Sequence, residues 1–413
     1  MANLLFCLQF FGMMETEGPL YIFNPENDLA LAYGEEGYTA PPAARLLRRD
    51  LQMLPVWWCE PGSTILSQCC SADAEWLREI GDAFGIDARC IAINHLQNHR
   101  FCYRPWGWNR DLRRRLLNEC VAADQLPSTC RIDRLRELSH RRISQRLHRH
   151  VSEWLQHSCK MGISPVVLPE IPYEAHSVAE VRKYERSHPQ CYIKAPWSSS
   201  GHGVYRVLEP ESRNFEIWTQ GVINRQGSIM CETALAAVQD FAMEYCCNAG
   251  KAEFVGYSVF GNDSHSAFSG GIVAPEEELR DILVSQLGDS RLLEAVKEAV
   301  RAFVEVEIAP HYDGCLGVDM MLYDDCGVVR LNPCIEVNLR MTMGAVTALF
   351  ARRFLAEGVR ARFEVVQSDA ETMRRLAEEN SAVIEDGIYC GGVLMLTPIY
   401  HDARYFAFVR GKR

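Results

Sequence analysis

The stretch that most constrains this chain lies on either side of Asp324-Asp325-Cys326-Gly327. Residues 316–323 and 328–339 are apolar, strand-like runs, and the four residues between them have the chemistry of a hairpin turn. Positions 319 and 336 lie symmetrically about Gly327-Val328, so the hairpin brings Asp319 opposite Glu336. Side chains alternate along a strand, so Glu336 and Asn338 share a face. Two carboxylates and an amide oxygen on one face make a hard oxygen set suited to Mg²⁺ that nucleotide phosphates also hold. Arg340 follows two residues further along that face, where it can stabilise charge on a transferring phosphoryl group. A surface hairpin with scattered acids is the alternative. Val318, Met320, Val337 and Leu339 argue against it, because unpaired carboxylates among such neighbours are costly unless they bind something.

A second signal precedes this one. Ile193-Lys194-Ala195-Pro196-Trp197 leads into Ser198-Ser199-Ser200-Gly201-His202-Gly203. A lysine ends a strand, and a loop of small residues follows it. Successive backbone N–H groups and serine hydroxyls can surround phosphate oxygens, and the lysine adds a point charge. A plain hairpin turn with an exposed lysine reads the same way. The loop is neither a Walker loop nor a dinucleotide fingerprint, because Arg206 stands where the third glycine is needed.

Composition sets the outer limits. The chain has 413 residues, 48% hydrophobic and 23% charged, which suits two or three soluble globular domains and excludes a disordered or low-complexity chain. A net charge of −11 argues against a broad nucleic-acid surface. No stretch has the roughly 18 consecutive apolar residues of a membrane span. The 17 cysteines cannot all pair, and they form no C-x-x-C motif. They read as buried, reduced thiols in a reducing, cytoplasmic setting. Residues 4–14 are apolar but brief. They are either a first strand or a tail upstream of a true start at Met13 or Met14.

Strands alternate with helices from residue 15 to about 125, which suggests an α/β unit. Strands are expected at 20–23 and 56–59, and helices at 43–54 and 111–123. The polar turn Asn24-Pro25-Glu26-Asn27-Asp28 ends the first strand, where α/β units commonly hold ligands, although a capped turn before a helix reads equally well. Trp106 and Trp108 line either a pocket or the core. A basic run with seven arginines covers 131–150, and Asp133 and Glu137 interrupt it. Further strands are expected at 191–194 and 204–207, a hairpin at 241–260 around Asn248-Ala249-Gly250, and a buried-face helix at 290–306. The last part holds a helix at 370–380 and strands near 390–397 and 404–409.

A lysine and glycine loop followed by acidic strands with E-x-N-x-R resembles the ATP-grasp superfamily over about residues 135–345. The resemblance implies an α/β (α+β) fold. Two α+β subdomains, 129–230 and 231–350, would follow a Rossmann-like domain at 15–128 and precede an α/β extension at 351–413. It implies ATP and Mg²⁺, with Mn²⁺ as the alternative. Arg141 or Arg142 resembles the first basic phosphate contact and Lys194 the second. Residues 198–203 resemble the loop that closes over phosphate, with His202 either on phosphate or facing solvent. Met230, Cys231 and Glu232, after Ile229, resemble the adenine hinge, and Asp240 the ribose-holding acid. Asp319, Glu336 and Asn338 resemble the metal set, and Arg340 the arginine near the acyl phosphate. An arginine stands at the first basic contact, Leu339 stands where proline is common, and a longer stretch before Glu336 predicts a bulge around Asn332-Pro333. The implied activity is ligation of a small carboxylate to an amine or thiol. A phosphotransferase or a silent ATP-binding protein is the alternative, and a homodimer is among the open oligomeric states.

Overall fold

The chain was analysed as a computed structural model that describes residues 16–158, 166–198, 203–207, 213–262 and 268–412. Ser199, Ser200, Gly201 and His202, and residues 4–14, lie outside the described residues. Four strands near the N-terminus, β1 (Pro19–Ile22), β2 (Ser63–Ser67), β3 (Ala88–Ala92) and β4 (Cys102–Pro105), form a sheet in the order β3-β2-β1-β4. All its pairings are parallel. Helices cross between the strands, as a parallel sheet requires.

Residues 56–59, expected as a strand, are not one. Leu54–Trp57 winds into a 3₁₀ turn, and the neighbouring strand begins at Ser63. Burial decides this, because all four turn residues are inside. Trp57 packs against Phe84, Phe350 and Phe354 at centroid distances of 5.2, 5.4 and 5.6 Å. Its indole N–H donates to the Leu396 carbonyl at 2.7 Å. A strand at this position would have turned alternate aromatics outward. The helix expected at 111–123 is also shorter, running Arg110–Asn118 before a 3₁₀ turn at Ala123–Gln125.

A small antiparallel sheet follows. It holds β5 (Tyr173–Ala175), β6 (Cys191–Lys194), β7 (Val204–Val207) and β8 (Ile229–Thr233) in the order β5-β8-β6-β7. The largest sheet begins with β9 (Ala236–Asn248), β10 (Lys251–Asn262), β11 (Phe268–Val273), β12 (Gly314–Asp325) and β13 (Val328–Asn338). It continues through β14 (Ala361–Gln367), β15 (Val383–Glu385), β16 (Ile388–Met395) and β17 (Tyr405–Gly411). Its order is β13-β12-β9-β10-β11-β14-β17-β16-β15. The last strands therefore extend this sheet through the β11–β14 pairing.

Period-two alternation gives β9, β12 and β13 one apolar and one polar face. Phe241, Met243 and Tyr245, with Val318, Met320 and Val337, sink into a core shared with the helices Arg142–Ser158 and Ser290–Glu307. Asp240, Glu244, Asp319, Glu336 and Asn338 occupy the alternate positions, and so share the opposite face.

The cysteine expectation needs correcting. Cys246 and Cys315 face each other across β9 and β12 and are disulfide-bonded. Cys102, Cys120, Cys130 and Cys326 are exposed thiols, whereas Cys59, Cys191, Cys231, Cys247 and Cys334 are buried ones. Among the described residues, no helix is long and apolar enough to cross a membrane.

Because Trp57 joins the N-terminal unit to the large sheet, Trp57→Ala should cost about 3–5 kcal/mol of stability. Urea unfolding measures this. A loss well under 1 kcal/mol would show that the shared aromatic core contributes little.

Candidate active site

The acidic hairpin sets the geometry. Asp319 pairs in register with Glu336, and Gly317 with Asn338. Beyond Asp319 the ladder skips, so that Met321 pairs with Asn332. This is a bulge at the expected place, with Pro333, Cys334 and Ile335 taken up against Met320. The Asn338 amide N–H donates to Asp319 Oδ2 at 2.9 Å. Burial first, and the facing Glu336 carboxylate second, push the Asp319 carboxyl up to about 7.

Two arginines, Arg141 and Arg340, answer these acids, whereas Lys194 pairs with Glu232. Arg141 lies just before the helix Arg142–Ser158 and ion-pairs with Glu336 at 2.9 Å. Its guanidinium also donates to the Ala195 carbonyl and the Ser198 hydroxyl, each at 3.0 Å. Arg340 donates to Asn338 Oδ1 at 3.0 Å and to Asp28 Oδ2 at 2.6 Å. Lys194 is buried and ion-paired with Glu232. Arg142 points elsewhere, since its exposed side chain pairs with Glu174 at 2.9 Å. Of the two arginines the sequence offered, only Arg141 reaches the acidic hairpin.

The loop after Lys194 is tied at its base, because Ala195 N–H donates to the Gly203 carbonyl at 2.7 Å. Gly203 has φ +83°, and a Cβ there would come within 2.9 Å of Ser198 Cβ, so glycine is required. Met230 and Cys231 are fully buried in β8. β5 and β6 flank both residues, and β5 covers its edge only as far as Cys231. Among the described residues, no strand pairs with that edge from Glu232 onward. Asp240 is half-buried on β9, opposite Met321 and Phe260. Asp28, Ser139, Trp197, Ser198, Glu336 and Asn338 line a common cleft.

No protein-family model matches the chain, and no curated protein matches it in sequence. Solved structures do match in shape. A biotin carboxylase from Campylobacter jejuni, crystallised with an ATP analogue, aligns over 97% of this chain and 88% of its own, with TM-score 0.51 and 12% identity. An N5-carboxyaminoimidazole ribonucleotide synthetase in complex with ADP aligns over 97% and 93%, with TM-score 0.50 and 10% identity. The biotin carboxylase domain of the Hydrogenobacter thermophilus 2-oxoglutarate carboxylase aligns over 96% and 86%, with TM-score 0.50 and 12% identity. The chain has the ATP-grasp fold.

Two features of the site are not legible in the sequence. The turn Asn24–Asp28, read as either a ligand loop or a capped turn, delivers Asp28 to Arg340. The other is Glu244, four residues after Asp240 and on the same face by alternation. It is 1% exposed and accepts a hydrogen bond from the Thr342 hydroxyl at 2.8 Å. Gly317 and Gly344 make room for it, since a Cβ on Gly317 would lie 2.7 Å from Glu244 Oε2. Burial, with Asp319 adding repulsion, pushes the Glu244 carboxyl up to about 8. The alternation around Asp240 was the available signal, but it does not reveal what covers that face.

A raised carboxyl favours the neutral form in the folded chain. Its contribution to stability is therefore full below the ordinary carboxyl range and is lost as pH rises through about 8. Glu244→Gln removes this penalty, so its stability relative to the parent chain should improve steadily from pH 5 to pH 8. Urea midpoints of both chains across that range test it. A difference that does not vary with pH would mean that Glu244 does not titrate there.

Proposed function

We propose that this chain is an ATP- and Mg²⁺-dependent ligase that activates a small carboxylate as an acyl phosphate for attack by an amine or thiol. One observation carries the reading. Asp319 and Glu336 face each other in register, Arg141 ion-pairs with Glu336, and Arg340 hydrogen-bonds Asn338, whose amide donates to Asp319.

A free carboxylate is a poor electrophile, and phosphorylation supplies a leaving group. Arg141 and Lys194 hold the nucleotide phosphates. The β8 edge from Glu232 meets the base, and Asp240 holds the ribose. Arg340 neutralises charge on the transferring phosphoryl group and orients the acceptor carboxylate. The donor chemistry of Asp319 and Glu336 fits a hard divalent cation, because two facing carboxylates repel each other until a cation shares them. Asn338 completes the oxygen set. Mg²⁺ held there would neutralise phosphate charge during transfer. The fold likeness to biotin carboxylase and to the ribonucleotide synthetase is consistent with this chemistry but does not choose the substrate.

Lys194→Ala should raise the Kd for ATP by about tenfold or more, matching the loss of a charge-assisted contact of about 1.5–3 kcal/mol. Glu336→Gln should still bind nucleotide but release no ADP. Equilibrium titration with ATP reads nucleotide binding in both variants, and ADP release from Mg·ATP, screened over amino acids, short peptides and amines, reads turnover. Unchanged turnover in Glu336→Gln removes the metal role. Arg141→Ala should impair turnover far more than Arg142→Ala, and equal effects would overturn the choice between them. A phosphorylated product without condensation would identify a phosphotransferase instead.

A further inference from the structure

A cavity of about 940 Å³ lies on the far side of Glu244 from the acidic hairpin, and the chemistry above does not use it. It sits between β4, an edge strand of the parallel sheet, and the end of the large sheet where Cys246 faces Cys315. Along that end the pairs run Cys315–Cys246, Gly317–Glu244 and Asp319–Ala242. The cavity is therefore separated from Asp319 by about 13 Å of strand. Its size is that of a large small-molecule site.

One wall is aromatic. Tyr21, Trp58, Trp106 and Trp108 line it, and Trp58 stands edge-on to Tyr21 and Trp106 at centroid distances of 6.5 and 6.0 Å. The sequence allows Trp106 and Trp108 to belong to a pocket or to the core, and Trp106 does both. Its ring is 4% exposed and packs on Phe23, while it also lines the cavity. The indole N–H groups of Trp57 and Trp197 donate to carbonyls. Those of Trp58, Trp106 and Trp108 donate to nothing among the described residues, and none of the three is sealed from solvent.

The same cavity holds a cation without a partner. Arg104 lies beside Tyr21 in the β1–β4 register. Its charge acts on the hydroxyls of both Tyr21 and Tyr312, and all three residues line the cavity. It is half-buried, yet among the described residues it makes no hydrogen bond or ion pair. The acids around it are placed otherwise. Asp124 pairs with Arg100 at 2.6 Å, and Asp313 with Arg131 at 2.9 Å. Glu60, Lys251 and Glu253 are exposed, where water and salt screen their charges. Withdrawing a guanidinium from water without a partner costs stability, so its retention here needs another reason.

The free groups of this cavity are all donors, set among flat apolar surfaces. They complement a flat ring that carries hydrogen-bond acceptors and a negative charge. One fixed cation balances one carboxylate, whereas a phosphate dianion calls for a second. We propose that the cavity binds a heteroaromatic carboxylate, with the carboxylate on Arg104 and the ring against Trp58, Trp106 and Trp108. This assignment goes beyond the ligase reading and stands apart from it, because no residue of the acidic hairpin takes part.

The test is calorimetric titration of the full chain without nucleotide. Pyridine-3-carboxylate, quinoline-3-carboxylate and coumarin-3-carboxylate are each compared with their carboxamides. Cyclohexanecarboxylate and decahydronaphthalene-2-carboxylate supply the charge without a flat ring. At least one heteroaromatic acid should bind about tenfold or more tightly than its amide and than the saturated acids, the scale of one charge-assisted contact. Arg104→Gln should remove the preference for acid over amide, and Arg104→Lys should keep part of it. Trp108→Leu should remove the preference for the flat ring. Because Arg104 makes no internal bond, Arg104→Gln should also leave the urea midpoint unchanged or raise it. A clear loss of stability would mean that the guanidinium serves the fold, which overturns the assignment. A panel in which no acid binds overturns it too, as does a preference that survives Arg104→Gln. Repeating the titration with saturating ATP locates the site. Affinity that ATP leaves unchanged supports this cavity, whereas displacement by ATP puts the acids in the nucleotide cleft and removes the proposal.

Discussion

Two carboxylates held face to face on neighbouring strands are the constraint around which this molecule is arranged. Asp319 and Glu336 meet in register at the edge of a nine-stranded sheet whose other face is packed with apolar side chains. Like charges at that separation oppose ionisation, and burial adds to the penalty. Other parts of the chain supply the compensation. Arg141 comes from the segment that precedes the small sheet, and Arg340 is itself held by Asp28 of the N-terminal unit. The acidic hairpin thus specifies where the rest of the structure must come together.

Three consecutive residues connect these parts. Arg340 reaches Asp28, Met341 N–H donates to the Trp106 carbonyl at 2.8 Å, and the Thr342 hydroxyl donates to Glu244. Thr342 also caps the helix Met343–Phe354 by accepting from Ala345 N–H at 2.9 Å. That helix buries Phe350 and Phe354 against Trp57. One short segment therefore links the acidic face, the parallel sheet and the aromatic core. A residue of altered shape at Gly344 would disturb all three, because Glu244 and Ser258 fill the space beside it.

Much of the hairpin could be read from the sequence, because both of its determinants are local. Alternation fixes the faces, but the turn is only Cys326-Gly327, since Asp325 pairs with Val328; that register alone would set Asp319 against Cys334, and the bulge at 333–335 shifts it to Glu336. The turn signal is equally local in the hairpin around Asn248-Ala249-Gly250, which pairs Asn248 with Lys251. Where tertiary contacts decide, the residues are silent. Arg141 and Arg142 are chemically alike, and only the packing of the following helix selects which one turns inward. Val56-Trp57-Trp58-Cys59 has strand composition, but burial against residues about 300 positions away winds it into a turn. Cys246 and Cys315 come together only through the β9–β12 register, which no local signal encodes. Glu244 was hidden for the same reason, since its covering residues, Thr342 and Gly344, arrive from far along the chain.

The pairing of Asp28 with Arg340 spans 312 positions in sequence. Contacts between such distant segments demand that a very large loop be closed before any attraction is gained, and proteins rich in them fold slowly. During synthesis the parallel sheet can therefore form while the arginine that will meet it has not yet been made. The contact that ties the N-terminal unit to the acidic hairpin can thus close only late in synthesis.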